Sequence, residues 1–505
     1  MGRSLFGADL QAGRAIVRDC DDEIWRHAIQ LLKVSGPKGL IVITGTAGSG
    51  KSTSLMRLCL RLVADGVHVG WMNELTEMTP RDIRRVMKSA GAPAVLAIDD
   101  ADIYGPELSS LVRELSMGPA FPLVITGIRS GRVDRVINPV RLQGLAFIET
   151  AMPPLADPDI GFLLDTLDRE NRLGILKGKP RVEQERAFRD QAGRQLLVAM
   201  IQATSDKRFE EKAVSELLEL PEAFQRVYVL VAVATSFRIG LSRDEILIAS
   251  GDSSNEGLNA IDQLTRRHII SVGGDGALRA RHRVIAEVIR DEVQKIGILE
   301  QAISGLALVA ATKVDPTLTR SARPWRILRH VINHEFLHRA LGLESARNVF
   351  GSLEQLLTWD FHYWLQRGSL EVEFGDLRLA EQFLNQARGL AANEVRVENE
   401  WAYLLFRKAI ESPHSLDAPL LVGNATEILL DLMGRSGDAY PYHVLGSQGL
   451  SWARRGLSGS VERERYLKTV QTYLQEGCRK YPRMQDLKQL LNDVTREYLG
   501  VAVGR

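Results

Sequence analysis

A short loop in the first tenth of the chain carries residues whose types and spacing can bind phosphate. It reads GTAGSGKST and lies between the apolar run 40–44 and a helix-like run that begins at Lys51. In this G-x-x-x-x-G-K-[ST] pattern the glycines let backbone N–H groups surround a phosphate. The lysine reaches the β- and γ-phosphates, Ser52 offers a hydroxyl to Mg²⁺, and the helix N-terminus adds its positive dipole end. The alternative is an ordinary glycine-rich turn. Such a turn would need neither the complete motif nor a strand before it and a helix after it. The predicted nucleotide-binding residues are therefore Gly45, Thr46, Ala47, Gly48, Ser49, Gly50, Lys51, Ser52 and Thr53.

Two acidic residues follow a second apolar run, Ala94–Ile98, as in a Walker B strand. We expect Asp99 to hold Mg²⁺ together with Ser52 and Asp100 to orient the attacking water. Many fast ATPases carry Glu in the second position, and the shorter Asp reaches the water less well, so slow hydrolysis is predicted. A helix-capping Asp at a strand end is the alternative.

An arginine follows a third apolar run, Leu123–Thr126. The guanidinium of Arg129 is predicted to reach a γ-phosphate and to report its presence, because arginine recognises phosphate oxygens in a planar, two-pronged geometry. The alternative is a solvated loop arginine, and Arg132 and Arg135 are nearby substitutes. Lys51, Asp99, Asp100 and Arg129 form the predicted catalytic set, with Ser52 and Asp99 as the metal ligands.

The elements that must position these residues alternate between strands and helices from residue 40 to about 150. Alternation of this kind with nearly continuous apolar strands is typical of a parallel sheet covered on both faces. Such sheets bind ligands at the carboxyl ends of their strands, where all three candidate groups fall. The predicted helices lie near 51–64, 80–90 and 106–117, and the predicted strands are 40–44, 67–72, 94–98, 123–126 and 146–148.

Length and composition restrict the class of protein. A chain of 505 residues is too long for one core, and about two to four domains are expected. The formal net charge of +1 argues against a dominant nucleic-acid or anionic-membrane surface. Three dispersed cysteines favour a reducing compartment, and neither a signal peptide nor an apolar run of about 18 residues is present, so a cytoplasmic protein is predicted. Because the opening residues resemble mid-protein sequence, we also expect that something was removed upstream.

The fold class predicted for the whole chain is an α/β P-loop NTPase followed by a helical lid, a winged-helix domain and an all-α superhelix of TPR type. Three helices and a hairpin around the turn 273–276 favour the winged helix. Its third helix is not strongly basic, so we favour a structural role over DNA reading. The predicted boundaries are 1–35 for an N-terminal helix or linker, 36–150, 151–218, 219–297 and 298–505.

The C-terminal region contains a spaced set of small and aromatic residues. Their offsets of 0, 4, 11, 16 and 23 match a helical-hairpin repeat of about 34 residues, in which small side chains permit close helix crossing. A weaker copy lies near Tyr442, Gly446 and Tyr466. A superhelical solenoid is predicted, and such surfaces usually bind proteins or peptides. The first copy comprises Trp364, Gly368, Gly375, Ala380 and Ala387.

A different chemistry is suggested by the HExxH string at residues 334–338. In zinc proteases both histidines bind the metal and the glutamate is the general base. Here Arg339 follows directly, where metalloprotease helices place an uncharged residue, and only Glu344 and Glu354 are candidate third ligands. A coincidental helix face formed by His334, Glu335 and His338 is therefore favoured over a zinc hydrolase.

In this order, the parts resemble the signal-transduction ATPases with numerous domains, the STAND class, which includes apoptotic ATPases, innate-immune receptors and bacterial antiviral sensors. The resemblance rests on Gly45–Ser52, on Asp99 with Asp100, on Arg129, and on two segments further along. Residues 193–197, GRQLL, resemble the lid motif Gly-x-Pro, with Gln195 in place of Pro. Residues 281–283, RHR, resemble the segment whose histidine touches the ADP phosphate, a role that the resemblance assigns to His282.

The resemblance implies an ATP/ADP switch that uses Mg²⁺. ADP holds a closed monomer, a protein trigger on the repeats disfavours that packing, and ATP replaces ADP in an open form that oligomerises. An effector, in another protein or removed from the N-terminus, is then activated; antiviral defence in bacteria is the implied setting. A STAND-type transcription regulator is the alternative, opposed by the near-neutral charge, and salt-sensitive DNA binding would favour it. Membrane partners are not expected, and nucleic acid is disfavoured as a partner.

Overall fold

The structure is a computed structural model of a chain that divides into two compact units. These are Met1–Gly305 with Ser321–Arg323, and Leu306–Arg320 with Pro324–Arg505. No helix in the described part of the chain is both long and apolar enough to cross a membrane. The residues described are 16–33, 39–46, 48–72, 85, 94–105, 107–117, 122–170, 173–191, 194, 196, 209–251, 255–273, 275–281, 283–293, 297–320 and 322–503.

A five-stranded parallel sheet is the centre of the first unit. Its order is β2-β3-β4-β1-β5, so β4 separates the strand before the glycine-rich loop from the strand before the acidic pair. Because the strands are parallel, their carboxyl ends meet at one edge, where Gly45 and Arg129 are register partners. The strands are β1 (Leu40–Gly45), β2 (Val69–Met72), β3 (Val95–Ile98), β4 (Leu123–Arg129) and β5 (Phe147–Ala151).

Helices cover both faces of this sheet because alternate strand residues point to opposite sides. Leu40, Val42 and Leu96 pack on one face with the apolar stripe of a helix over Glu107–Ser116. Ile41, Ile43 and Val95 pack on the other with the helices at Asp19–Leu32 and Lys51–Ala64. The predicted doubly covered sheet is confirmed. The helices of this part are α1 (Asp19–Leu32), α2 (Lys51–Ala64), α3 (Glu107–Ser116) and α4 (Val133–Val136).

Every predicted strand is present, with its ends shifted by a few residues. β4 ends three residues later than predicted and continues through Arg129, and its residues 123–128 are all buried. Arg129 is therefore the last residue of the strand, where a loop position just after it was predicted. The predicted helix near 80–90 lies outside the described residues, apart from Arg85.

The rest of the first unit is helical, with one antiparallel hairpin. Three helices, the hairpin β6–β7 and a bridge from Leu241 to Leu278 give the elements expected of a winged helix. Ser242 caps its second helix by accepting from the Glu245 N–H, and the Glu245 carboxylate accepts from the Ser242 N–H. The elements are α5 (Asp157–Arg169), α6 (Arg181–Arg186), α7 (Phe209–Leu218), α8 (Glu222–Ser236), α9 (Arg243–Ser250), α10 (Asn255–Arg266), β6 (Ile270–Val272), β7 (Leu278–Ala280) and α11 (Arg283–Glu292).

The second unit consists of helices with their own apolar core, and it begins inside a helix over Ile298–Ala311. The small-residue argument is confirmed at the first repeat: a Cβ on Gly368 would lie 2.7 Å from Leu384 Cγ on the next helix. The finer domain boundaries stay predictions. The helices are α12 (Ile298–Ala311), α13 (Arg323–Val331), α14 (His334–Leu341), α15 (Leu343–Leu357), α16 (Phe361–Phe374), α17 (Leu377–Leu390), α18 (Val395–Glu411), α19 (Ala418–Arg435), α20 (Tyr440–Arg455), α21 (Ser460–Lys480) and α22 (Gln485–Val503).

Candidate functional site

The glycine-rich loop has the backbone that phosphate binding requires. Gly48 and Gly50 have φ angles of 73° and 100°, which side chains with a Cβ rarely adopt. The Ser49 N–H donates to the Thr46 carbonyl at 3.3 Å, and α2 begins directly after the loop, at Lys51. Ala47 lies outside the described residues, and Thr53 lies in the first turn of α2. These features fit the predicted cradle, and its contact with a phosphate stays a prediction.

The Lys51 ammonium lies over the loop. Its Nζ donates to the carbonyl oxygens of Gly45 at 3.1 Å and Thr46 at 2.7 Å, and only 6% of the residue is exposed. Burial lowers the pKa of Lys51 from its usual value, and the nearby Asp100 carboxylate opposes that effect. The cation that would meet a terminal phosphate is therefore already at the loop.

Ser52 and Asp99 meet as the metal prediction requires. The Ser52 hydroxyl donates to Asp99 Oδ1 at 2.9 Å, across the end of β3. A hydroxyl and a carboxylate at the edge of a phosphate cradle are oxygen donors of the kind that Mg²⁺ prefers. These residues fit the ion, which when bound would neutralise phosphate charge.

The Asp100 carboxylate is engaged in ion pairs. Arg238 Nη2 lies 2.6 Å and Arg283 Nη1 3.2 Å from Asp100 Oδ2, and Arg238 also donates to the Asp100 main-chain carbonyl. Burial raises the pKa of Asp100, but the two arginines outweigh it and hold the pKa below its usual value. Asp100 was predicted to orient water; in this arrangement it binds arginines, because guanidinium groups from residues more than 130 positions away reach the strand end.

Arg129 is also paired. Its Nη2 donates to Glu287 Oε1 at 2.7 Å, and the same carboxylate oxygen lies 3.1 Å from Arg283 Nε. Burial, followed by the like charges of Arg238 and Arg129, lowers the pKa of Arg283 to about 10. The four groups therefore form a continuous chain of charges from Asp100 through Arg283 and Glu287 to Arg129.

A second buried carboxylate extends this chain of charges. Asp102 is 1% exposed at its side chain and lies 3.5 Å from Arg238 and 3.7 Å from Arg132. Arg132, one predicted substitute for Arg129, thus contacts Asp102, and Arg135 is an exposed residue of α4. In the ion pairs described here, neither residue takes the place of Arg129 as the partner of Glu287.

Arg238, Arg283 and Glu287 were not predicted from the sequence. Arg238 follows α8 in the left-handed backbone region, with φ of 64°, and nothing in the local pattern indicates its long-range partner. Arg283 could have been found from the sequence, since it is adjacent to His282 in the RHR segment. His282 itself lies outside the described residues, so its predicted phosphate contact stays a prediction.

Of the predicted lid motif, only Arg194 and Leu196 are described. Arg194 Nη1 donates to the Leu155 carbonyl at 2.8 Å, and its Nη2 lies 2.9 Å from Asp157 Oδ1. Gln195 lies outside the described residues. Arg194 therefore connects this segment to the start of α5, which begins at Asp157.

The HExxH string lies in the second unit and does not place both histidines at one ion. Within the described residues, the ligand atoms that come together belong to His334, Glu335 and Glu373. The His338 ring instead stacks on Phe374, with centroids 3.7 Å apart. The candidate third ligands are engaged elsewhere: Glu344 binds Arg347 at 2.7 Å and Glu354 binds Arg367 at 2.6 Å.

Comparison with known proteins finds one family for the N-terminal part. Residues 4–140 match the family described as Novel STAND NTPase 5. No curated protein matches the chain.

Several solved structures are distantly similar. A STAND protein with a tetratricopeptide repeat sensor from Pyrococcus horikoshii is 12% identical, over 97% of this chain and 77% of its own, with a TM-score of 0.35. The ORC1 protein of Aeropyrum pernix in complex with DNA is 16% identical over 56% and 95%, with a TM-score of 0.28. The RuvB Holliday junction branch migration motor of Thermotoga maritima is 14% identical over 54% and 95%, with a TM-score of 0.24. At these TM-scores no inference is based on the similarity.

The family match covers the loop, the Ser52–Asp99 pair and the end of β4, the residues predicted to bind phosphate and metal. Residues 4–140 of this chain are therefore similar to the STAND class of NTPases.

Proposed function

We propose that this chain is an ATP/ADP-binding signalling switch with slow ATP turnover. A protein ligand, of phage or other foreign origin, binds the C-terminal helical repeats. The chain then oligomerises and activates an effector in bacterial antiviral defence, in the cytoplasm.

The observation that carries the proposal is the set of ion pairs at the nucleotide site. Asp100 and Arg129 lie at the ends of neighbouring strands of the sheet, and their partners Arg238, Arg283 and Glu287 come from the winged-helix elements. Removing one partner of a buried pair typically costs about 3–5 kcal/mol. These pairs therefore support a closed state in which the winged helix is held on the nucleotide site.

Arg129 would make the stability of this closed state depend on the bound nucleotide. Its side chain is 19% exposed, and its guanidinium is engaged by Glu287. A terminal phosphate near Lys51 would compete with Glu287 for the same guanidinium, whereas a diphosphate offers no group at that position. ATP would thus weaken the closed state more than ADP, as a population shift requires.

Slow hydrolysis follows from the state of Asp100. The Asp100 carboxylate accepts a hydrogen bond from Arg283 and forms an ion pair with Arg238, so it is poorly placed to orient water, and its depressed pKa makes it a weaker base. Turnover would require Arg238 and Arg283 to move away from Asp100, and the closed state would have to open for this to happen. In the proposed switch, hydrolysis would reset the open form.

Two variants test the nucleotide and closure parts of the proposal. Untagged protein is purified, bound nucleotide is released by heat and quantified, and mass is measured by size-exclusion chromatography with light scattering in ADP or ATP. We expect stoichiometric ADP in the wild type and none in Lys51→Ala. We expect Glu287→Gln, which lies outside the phosphate cradle, to raise the ATP-dependent oligomer fraction at least about tenfold, because a lost buried pair costs more than the 1.4 kcal/mol of a tenfold change.

Arg226→Gln is the matched control, since it breaks only an exposed pair with Glu222 on α8. It should behave as the wild type. Nucleotide retained by Lys51→Ala would contradict the binding site, and a Glu287→Gln protein that stays monomeric in ATP would contradict the closure mechanism.

A further inference from the structure

The second unit contains a group of ligating side chains that the nucleotide switch does not use. His334, Glu335 and Glu373 have ligand atoms within 4.8 Å of one another. His334 and Glu335 open α14, and Glu373 lies near the end of α16. One nitrogen and two carboxylates from two helices thus face a common point.

The hydrogen bonds of His334 settle which ring nitrogen faces this point. Gln366 Oε1 accepts from the His334 backbone N–H at 3.0 Å, which identifies that atom as the amide oxygen. The same oxygen lies 2.9 Å from His334 Nδ1, so Nδ1 carries the proton. In the neutral ring Nε2 then presents a lone pair. An oriented imidazole whose other nitrogen donates to a neighbour is the arrangement found around metal-binding histidines.

The Nε2 atom is poorly satisfied by its surroundings. It is buried and has no hydrogen-bond partner among the described residues, and the nearest carboxylate oxygen, Glu373 Oε1, is 3.5 Å away. Burial lowers the pKa of His334, but Glu373 and Gln366 outweigh this effect and raise it, so a metal ion at Nε2 would compete with a proton there.

A further carboxylate is buried on α18. Glu400 is 5% exposed, and its Oε1 has no hydrogen-bond partner in the described part of the chain. Burial raises the pKa of Glu400 to about 7, while the charge of His334 lowers it and those of Glu373 and Glu335 raise it. The ligand atoms that lie within 4.8 Å of one another are those of His334, Glu335 and Glu373. A cation among them would balance the charge of the two carboxylates.

We propose that His334 Nε2, Glu335 and Glu373 bind a divalent transition-metal ion such as Zn²⁺ or Mn²⁺. The imidazole nitrogen favours these ions over Mg²⁺ and Ca²⁺, whose preferred ligands are oxygens. The ion would connect α14 and α16. This ligand set differs from that of a zinc protease, because Glu335 is a ligand and His338 takes no part.

Metal binding by the untagged full-length chain tests the site. Chelator-treated protein is titrated with ZnCl₂ or MnCl₂, and stoichiometry and affinity are measured by calorimetry and elemental analysis, with MgCl₂ as comparison. We expect one tightly bound Zn²⁺ or Mn²⁺ per chain and a raised melting temperature. Glu373→Gln should weaken binding at least about tenfold, since loss of an outer partner alone costs that much.

Two further variants keep the test decisive. Glu335 is exposed, so Glu335→Gln should fold normally and still weaken binding by a similar factor. His338→Phe preserves the stacking on Phe374 and removes the ring nitrogens of His338. Because His338 is not a proposed ligand, this variant should bind the metal as the wild type does. The proposal is overturned by the absence of stoichiometric Zn²⁺ and Mn²⁺, by unchanged affinity in both glutamate variants, or by loss of binding in His338→Phe. The outcome is independent of the Lys51 and Glu287 experiments.

Discussion

At the scale of single residues, Asp100 differs most from what its position in the sequence predicts. Its backbone is left-handed, with φ of 53°, a region that Asp tolerates better than most residues. Two arginines bind its carboxylate, whereas the neighbouring Asp99 accepts from Ser52. Two consecutive acids thus have separate environments, one fitted to a metal ion and one to guanidinium groups.

A second residue with an unusual environment predicts a pH dependence. His362 Nε2 is buried without a hydrogen-bond partner among the described residues. Burial lowers the pKa of His362, and the arginines at 396, 320 and 329 add to the effect, against the single opposing carboxylate of Asp360. Because the folded pKa lies below the unfolded one, the unfolded chain takes up the proton first. The contribution of neutral His362 to the free energy of unfolding is therefore fully present above about pH 6.5 and is lost as the pH drops below it.

We expect His362→Gln to remove about 1–3 kcal/mol of the difference in unfolding free energy between pH 7.5 and pH 5. Tryptophan fluorescence during denaturant unfolding is a suitable measurement, because five of the seven tryptophans lie in the second unit. The exposed His414, replaced by Gln, is the control. Equal pH dependence in wild type and His362→Gln would contradict the prediction.

At the scale of elements, the repeats show why small residues recur. Gly368 on α16 allows α17 to approach so closely that an added Cβ would be 2.7 Å from Leu384 Cγ. Gly446 on α20 does the same for α21, where the added Cβ would be 2.8 Å from Leu474 Cδ2. The two helix pairs therefore follow the same packing rule, although only the first copy is clear in the sequence.

Gly368→Ala should destabilise the second unit by about 1–3 kcal/mol, because the Leu384 side chain must shift in a close-packed interface. Gly423→Ala is the matched control: Gly423 lies within α19, and an added Cβ would meet nothing within 4 Å. That change should stabilise by about 0.5–1 kcal/mol, as glycine is unfavourable inside a helix. Melting temperatures that move in the same direction for both variants would contradict this account.

At the scale of the whole molecule, the chain separates into an α/β-containing unit and a helical unit. The helical unit has a continuous core that runs through its last helices and includes Phe406, Tyr442 and Trp452. Because this core is built from residues within the unit, its folding should not depend on the nucleotide.

A fragment of residues 298–505 should therefore fold by itself. We expect a helical circular dichroism spectrum and a single cooperative thermal transition, at a temperature unaffected by ATP or ADP. The full-length chain, in contrast, should show a transition that ADP raises, since a ligand that binds the folded state stabilises it. A fragment without a cooperative transition would contradict the independence of the second core.

Much of the fold could be predicted because local patterns determine it. Buried strands gave continuous apolar runs, the phosphate loop gave a complete motif, and Ser52 and Asp99 are brought together by the parallel sheet that those runs predict. Their meeting follows from topology alone, since the carboxyl ends of the strands share one edge.

The partners of Asp100 and Arg129 could not be predicted in this way. Arg238 and Arg283 are 138 and 183 positions from Asp100, and arginines are common on any surface. Which of them turns inward depends on how the winged-helix elements pack, which no local periodicity encodes. The candidate metal site is similar: the HExxH string contains His334 and Glu335, but Glu373 lies on another helix.

The double engagement of Asp100 has a consequence for how relatives of this chain can vary. A glutamate at position 100 would reach a water better, but its longer side chain would push against both guanidinium groups. In the proposed switch, the rate of resetting and the ease of opening are therefore set by one side chain and cannot be adjusted separately. Relatives that carry glutamate there should have changed Arg238 or Arg283 as well, so that positions 100, 238 and 283 vary together.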